Sequence, residues 1–249
     1  MGEEVKENAN NDLENSSFKE DYIGILELSP IERLREYMYQ YFAKIQTDTN
    51  PKFVFSVVTG IFLCIQAIFP ALMQQADIQH ETSTIGRGMR IISVLWCGGG
   101  AFDGEAPFIT SIIASIITLL IIITISFRSF IYSKVKSMKP TEINIMFTIS
   151  TYILPILTSF TTCCVGDGIY KITNGSITAF EIISVLPAIF VFIIQAKMQY
   201  DIISPRVMFI RDITLMWTPF SSVLITIVSG VNAAIFSATV QGNKYAKTV

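Results

Sequence analysis

The stretch FITSIIASIITLLIIITISF, residues 108–127, decides the fold class of this chain. Its 20 residues carry no charge and are mostly isoleucine, leucine and other apolar types. A helix of this length rises about 30 Å, which matches the hydrocarbon core of a bilayer. A helix of a soluble protein needs a polar face, and this stretch has no charged residue with which to form one. It predicts a transmembrane helix.

Four further segments have the same character. They carry little or no charge and are long enough to cross a bilayer. We place them at residues 53–73, 143–163, 177–195 and 215–236. The predicted fold class is therefore all-α, a polytopic transmembrane helical bundle of about five spans, residues 50–238, with a short tail at 239–249.

Basic residues provide an independent test of this layout. With the N-terminus inside and five spans, the inner segments hold 13 lysines and arginines and the outer segments hold 5. Cytosolic loops prefer such an excess of basic residues. The distribution predicts a multi-pass membrane protein with a cytosolic N-terminus and a C-terminus outside or in a lumen.

The segment 89–102 is ambiguous because its apolar part is short and three consecutive glycines, Gly98 to Gly100, follow it. Glycine has a low helix propensity. Inside lipid, a backbone amide that leaves the helix finds no other hydrogen-bond partner. A sixth span here would also move the basic cluster around Lys134 to the outside. An interfacial or re-entrant element is the preferred interpretation.

Composition excludes several functions. Hydrophobic residues make up 51% of the chain, charged residues 15%, and mean hydropathy is +0.52. The chain has only one histidine, His80. This excludes most histidine-based catalytic mechanisms and the usual zinc sites. The sequence shows no basic face of the kind that binds nucleic acid. We expect no catalytic residues, no cofactor and no metal site, and the bilayer as the main partner.

The N-terminal region divides into two parts. Residues 1–28 are acidic and polar and are predicted to be disordered. Residues 29–49 begin with a capping box, Ser29 to Glu32, which starts a helix. Its apolar residues share one helical face: Ile31, Leu34, Met38, Phe42 and Ile45. This amphipathic helix either lies along the membrane surface, which we favour, or packs on protein.

Three ionisable residues are candidates for a role inside the membrane. Glu181 lies near the start of the fourth span, where it either faces the bundle interior or sits at headgroup level. Arg211 and Asp212 precede the fifth span. Adjacent residues on a helix diverge by about 100°, so these two favour an interfacial charge cluster over a pair.

Two patterns concern helix shape and packing. Prolines that kink helices occur in four spans, at Pro70, Pro155, Pro187 and Pro219. The fifth span carries small residues at helical spacing, which favour close helix packing within the chain or between copies: Ser229, Gly230, Ala233 and Ala234. Kinked spans suit transporters, but the sequence shows no companion row of polar groups.

Cysteines allow one covalent link. Cys163 and Cys164 close the third span on the outer side, and Cys97 lies in the first outer loop. An oxidising exterior would permit a disulfide between Cys97 and one of the other two. The alternative is that all three are ordinary apolar residues.

Two stretches resemble a known group of membrane proteins. LCIQAIFPAL, residues 63–72, and WTPFSS, residues 217–222, resemble spans in the multi-pass membrane sector of large protist (trichomonad-type) nucleotide-cyclase-like proteins. The resemblance implies a membrane sector with a signalling role. We expect no cyclase activity, because about a dozen residues follow the last span.

Three functions therefore compete. A non-enzymatic membrane module, meaning an anchor, a receptor-like sector or an assembly sector, fits the short loops and packing residues best. It could contact other membrane proteins, or itself through the fifth span. A small transporter or channel that uses the kinked helices and Glu181 is the alternative, and a membrane-embedded enzyme is the third.

Overall fold

The computed structural model describes residues 29–49, 53–75, 84, 88, 91, 105–203 and 219–246. Within these residues the regular structure is helical, and no strand occurs among them. This confirms the predicted all-α fold class. The predicted disordered region 1–28 lies outside the described residues, as does all of segment 89–102 except Ile91.

The helices are numbered in chain order. Their bounds are α1 Pro30–Asp48, α2 Phe53–Gln75, α3 Ala106–Val135, α4 Pro140–Thr148, α5 Leu154–Thr162, α6 Val165–Thr173, α7 Ala179–Met198 and α8 Pro219–Ala246. A π-helical segment, Ile149–Ile153, joins α4 to α5, and a second one, Gln199–Ile203, continues α7.

Three helical stretches are long and apolar enough to cross a membrane. They are α3, the run Pro140–Thr173 that contains α4 to α6, and Ala179–Asp201. Shorter apolar stretches, Val57–Phe69 and Val223–Thr239, lie within α2 and α8. The described residues thus provide the helices of a membrane protein, and five crossings stay a prediction.

Two helical runs continue past the predicted span ends. After residue 163 only Cys163 and Cys164 interrupt the run before helix α6 begins at Val165. Helix α8 continues past residue 239 as far as Ala246. Backbone hydrogen bonds do not stop where the apolar residues end, so hydropathy marks the bilayer boundary and not the helix terminus.

The surface of α3 shows how the bundle is built. Isoleucines and leucines on its outer side are exposed, including Ile113 at 53% and Leu120 at 57%. Its buried side contains a row of hydroxyl residues at helical spacing: Ser111, Ser115, Thr118 and Ser129. In water this arrangement would be unfavourable, whereas in lipid the apolar face meets acyl chains and the small polar residues allow close packing.

Helix α1 begins at the predicted capping box. The Ser29 side chain accepts from the Glu32 amide, and the Glu32 carboxylate accepts from the Ser29 amide at 3.0 Å. The Ser29 hydrogen bonds lower the pKa of Glu32. These contacts satisfy amide groups that a helix start leaves without partners.

Only part of the predicted apolar face of α1 is buried. Phe42 and Ile45 are fully buried and Met38 is nearly so, whereas Ile31 is 81% exposed and Leu34 is 37% exposed. The buried part packs in one cluster with residues of α3 and α4. Of the two sequence-based interpretations, the structure shows the helix packed on protein along its second half.

Candidate intramembrane polar site

Polar residues of α3 and of the run Pro140–Thr173 face each other in antiparallel register. The Ser111 hydroxyl donates to the Thr161 carbonyl at 2.5 Å. At the other end of the same helix pair, Arg128 forms an ion pair with Glu142 at 3.0 Å. Between these two contacts the run buries Ser150, Thr158 and Ser159. The expectation that no companion row of polar groups exists is therefore wrong.

Three glutamines contact the backbone of this run from two other helices. Gln66, Gln195 and Gln199 are at most 1% exposed. The Gln66 amide donates to the Ile156 carbonyl at 3.3 Å. The Gln195 amide donates to the Leu154 carbonyl and, at 2.6 Å, to the Thr158 hydroxyl. Such contacts between side chain and backbone hold helices together in lipid.

The third glutamine compensates for a proline. In the π-helical segment the Leu154 amide donates to the Ile149 carbonyl, five residues back. The next bond of that type would join residue 155 to Ser150, but Pro155 has no amide hydrogen. The Gln199 side chain donates to the Ser150 carbonyl at 3.4 Å. The π-helical segment, the proline and the glutamine thus form one local arrangement.

The other predicted kinks have different outcomes. Pro187 lies inside α7, as predicted. Pro70 lies within α2. Pro219 is the first described residue of α8, so the kink predicted there stays a prediction.

Several oxygens in this region lack a hydrogen-bond partner among the described residues. They are buried and belong to amide or hydroxyl groups: Gln66 Oε1, Gln195 Oε1, Gln199 Oε1, Ser115 Oγ and Thr118 Oγ1. Leaving one such group without a partner costs about 1–3 kcal/mol. Each of these groups is therefore costly to bury unless an ordered water satisfies it.

A charged cluster lies at the C-terminal end of the same run. Lys171 forms ion pairs with Glu181 and with Asp167, the latter at 3.3 Å. Its ammonium group also lies 4.7 Å from the centre of the Phe108 ring. Asp167 is 1% exposed and Glu181 7%. Two carboxylates against one ammonium leave a formal charge of −1 in a buried site.

Sequence reasoning identified only one member of this cluster. Glu181 was a candidate, and the structure shows it inside the bundle, where Thr178 forms a capping box with it. Asp167 and Lys171 were missed, although their spacing of four residues is a signal for an ion pair on one helix. Arg211 and Asp212 lie outside the described residues.

The small residues of the predicted fifth span, which lie in α8, pack within the chain. The Ser229 and Ser159 hydroxyls lie 2.5 Å apart, and the Thr162 hydroxyl donates to the Gly230 carbonyl at 2.8 Å. Ala233 is fully buried. A Cβ on Gly166 of α6 would lie 1.8 Å from the Ala234 carbonyl oxygen. These four residues serve packing between α8 and the rest of the bundle.

The structure describes only two of the three cysteines in the predicted disulfide. Cys163 and Cys164 are both fully buried, and the Cys163 thiol donates to the Pro107 carbonyl at 3.4 Å. Cys97 lies outside the described residues, so the disulfide stays a prediction. Within the described residues, no three histidine, cysteine or acidic side chains come together in a way that could hold a metal.

Comparison with protein-family models, with curated proteins and with solved structures finds no match to this chain.

Proposed function

We propose that this chain is a non-enzymatic multi-pass membrane module with five spans and a cytosolic N-terminus, whose cytosolic helix α1 is coupled to the membrane bundle. The observation that carries the proposal is the docking of α1 on the ends of the spans. The resemblance of residues 63–72 and 217–222 to a signalling membrane sector supports a receptor-like role.

Length and packing support five crossings. The 23 residues of α2 rise about 35 Å and carry no charge, and the 28 residues of α8 rise about 42 Å. Both helices therefore exceed the thickness of the hydrocarbon core. They also pack against each other, and α8 packs along α5 and α6. Their packing in one bundle with the three long apolar stretches supports placing both helices in the same bilayer.

The docked helix contacts several span ends at once. Its Tyr39 hydroxyl donates to the Asp201 carbonyl, at the end of the third long apolar stretch, at 2.8 Å. Its Gln40 side chain accepts from Lys136, just after α3, at 2.7 Å. Tyr41 packs edge-on against Tyr132 of α3, with ring centroids 5.8 Å apart. These contacts couple α1 to the ends of two spans.

Topology is the decisive test. Single-cysteine labelling in sealed membranes would be done at residues Asn10, Gln79, Lys136, Asn174, Asp201 and Lys247. The proposal expects labels that alternate between inside and outside, beginning inside. A reversal that begins at Lys136 would mean that residues 89–102 cross the bilayer and would overturn the five-span layout.

A small transporter or channel is the second candidate. The buried polar interior and the charged cluster favour it, because ionisable groups within a membrane often mark ion pathways. The test compares cation and proton flux into vesicles containing wild-type protein with flux for Glu181→Gln. Wild-type flux above empty vesicles that falls in the variant supports transport through the cluster. Equal flux in both excludes a role for Glu181.

A further inference from the structure

A groove lies on the surface of the bundle between α3 and the run Pro140–Thr173. Ile125 and Met146 are buried residues of its lining, at 1% and 8% exposure, whereas Ile117 and Leu120 of the same lining are exposed. The groove therefore opens on the lipid-facing side of α3. It holds about 200 Å³. Sites for drug-sized ligands hold roughly 300–1,000 Å³, so this groove suits a narrower molecule.

The lining of the groove is apolar. Thr124 supplies the one hydroxyl among its lining residues, and that hydroxyl donates to the Leu120 carbonyl of its own helix at 2.7 Å. A polar ligand thus finds little to bind there, since polar sites need convergent polar groups. Ile149, the first residue of the π-helical segment, also lines the groove, and such segments are frequent at functional sites. An apolar chain matches this lining.

The groove extends from a charged end of the helix pair towards the middle of the bundle. Arg128 lies three residues after Ile125, and its partner Glu142 lies four residues before Met146, so the ion pair is one helical turn from the groove. From Arg128 back to Ile117, α3 rises about 16 Å, close to half of the ~30 Å hydrocarbon core. The groove and the ion pair together thus match the depth of one lipid leaflet.

The charge at this end of the bundle is positive. The α3–α4 hairpin, residues 128–142, carries four basic residues against one acidic residue, Glu142. Three of the basic residues are exposed lysines: Lys134, Lys136 and Lys139. Helix α1, which packs on this hairpin, carries three residues of each sign, and Lys197 and Asp201 at the end of the neighbouring stretch also cancel. Basic residues beside a bilayer attract anionic headgroups.

Arg128 is the basic residue nearest to the groove along the chain. Its side chain is 38% exposed although it forms an ion pair with Glu142 at 3.0 Å. A guanidinium has five N–H donors, so one carboxylate does not engage all of them. The planar fork of arginine also matches the geometry of a phosphate group. An apolar groove that ends at an accessible arginine has the two features that recognise a phospholipid.

We propose that the groove and Arg128 bind one anionic phospholipid from the leaflet on the α1 side of the bilayer. An acyl chain occupies the groove, and the phosphate meets the guanidinium of Arg128. The inference goes beyond the proposed function, because it needs only α3 and the run Pro140–Thr173 to cross the bilayer. The topology map and the lipid experiment therefore fail independently.

The test is a lipid titration of the delipidated full chain in detergent, read by native mass spectrometry. The probes are dioleoylphosphatidylserine, dioleoylphosphatidylcholine and the chain-free headgroup glycerophosphoserine. We expect saturable binding of phosphatidylserine that is roughly tenfold tighter than that of phosphatidylcholine, and weaker binding still of the headgroup alone. Equal affinity for the two lipids would overturn the charge selection. Headgroup binding as tight as lipid binding would overturn the role of the groove.

A pair of phenylalanine variants tests the groove. Thr124→Phe places a ring in it and should weaken phosphatidylserine binding roughly tenfold, because the acyl chain loses its apolar contact. Ile123→Phe is the matched control, since Ile123 lies at the same depth on α3, is 54% exposed and is not part of the lining. It should keep the wild-type affinity. Equal affinities for the two variants would contradict binding in the groove.

Three charge variants test the headgroup contact. Glu142→Gln removes the carboxylate that competes for Arg128 and should tighten phosphatidylserine binding, whereas Arg128→Gln should weaken it roughly tenfold. Lys197→Gln removes the same charge from a helix that does not line the groove, and should keep most of the affinity. Weaker binding in Glu142→Gln, or equal losses in Arg128→Gln and Lys197→Gln, would overturn the assignment of the phosphate to Arg128.

Discussion

The side-chain amide of Gln199 donates to the backbone carbonyl of Ser150, 49 residues away in sequence. In the π-helical register this is the carbonyl that Pro155 leaves without a backbone donor. A helix interruption on one span is therefore stabilised by a side chain from another. The pairing is long-range, and it ties the second π-helical segment to the first.

Gln199→Leu should lower the free energy of unfolding by about 1–3 kcal/mol, because it leaves a buried carbonyl without a donor. Reversible unfolding in mixed detergent micelles would measure the loss. Pro155→Ala restores an amide hydrogen at residue 155, so the double variant should recover part of the stability. Strictly additive losses in the two single variants would show that the proline and the glutamine are not coupled.

Gly166→Ala should destabilise the contact between α6 and α8. The added Cβ would lie 1.8 Å from the Ala234 carbonyl oxygen, which belongs to backbone and cannot rotate away. Overpacking of this kind costs about 1–3 kcal/mol or more. The midpoint of thermal unfolding measures it. The control is Gly88→Ala, whose Cβ would meet nothing within 4 Å, and equal midpoints for the two variants would argue against the tight packing.

Lys171→Met should be among the most damaging single substitutions in the bundle. It leaves the Asp167 and Glu181 carboxylates buried together without a cation, and breaking a buried pair costs about 3–5 kcal/mol. Yield of folded protein and unfolding in detergent would show the effect. Adding Asp167→Asn removes one of the carboxylates and should restore much of the loss. Failure of that rescue would mean that the lysine acts through other contacts.

Phe42→Ala should release α1 from the bundle. The ring is fully buried, and truncating a buried phenylalanine costs about 3–5 kcal/mol. Limited proteolysis on the cytosolic side should then cut within α1 at a higher rate. Ile31→Ala is the matched control on the same helix, since Ile31 is 81% exposed and its truncation should change little. Equal cleavage of both variants would contradict docking through Phe42.

Alkaline pH should weaken the same docking. Burial, and after it the nearby Glu142 carboxylate, raise the pKa of Tyr41 above its ordinary value of about 10. A raised folded-state pKa stabilises the docked helix below pH 10, and this stabilisation is lost as pH rises further. The pH dependence of α1 proteolysis measures it. Tyr41→Phe should remove this part of the pH dependence, and an unchanged profile would contradict it.

The sequence predicted the fold class because hydropathy is a local property. Residues 108–127 lie within α3, and the capping box at Ser29 starts α1 where expected. The presence of Glu181 in a polar setting could also be anticipated, since an acidic residue beside an apolar run is conspicuous. Each of these features depends on residues that lie close together in the chain.

The tertiary structure alone decided which polar residues meet. Nothing local pairs Gln199 with Ser150 or Lys171 with Glu181, because those contacts depend on how the helices are rotated and in which register they pack. The same holds for α1, whose apolar face is buried only where the span ends reach it. Serine and threonine look unremarkable in an apolar run, and only their position on the buried side of α3 shows that the bundle has a polar interior.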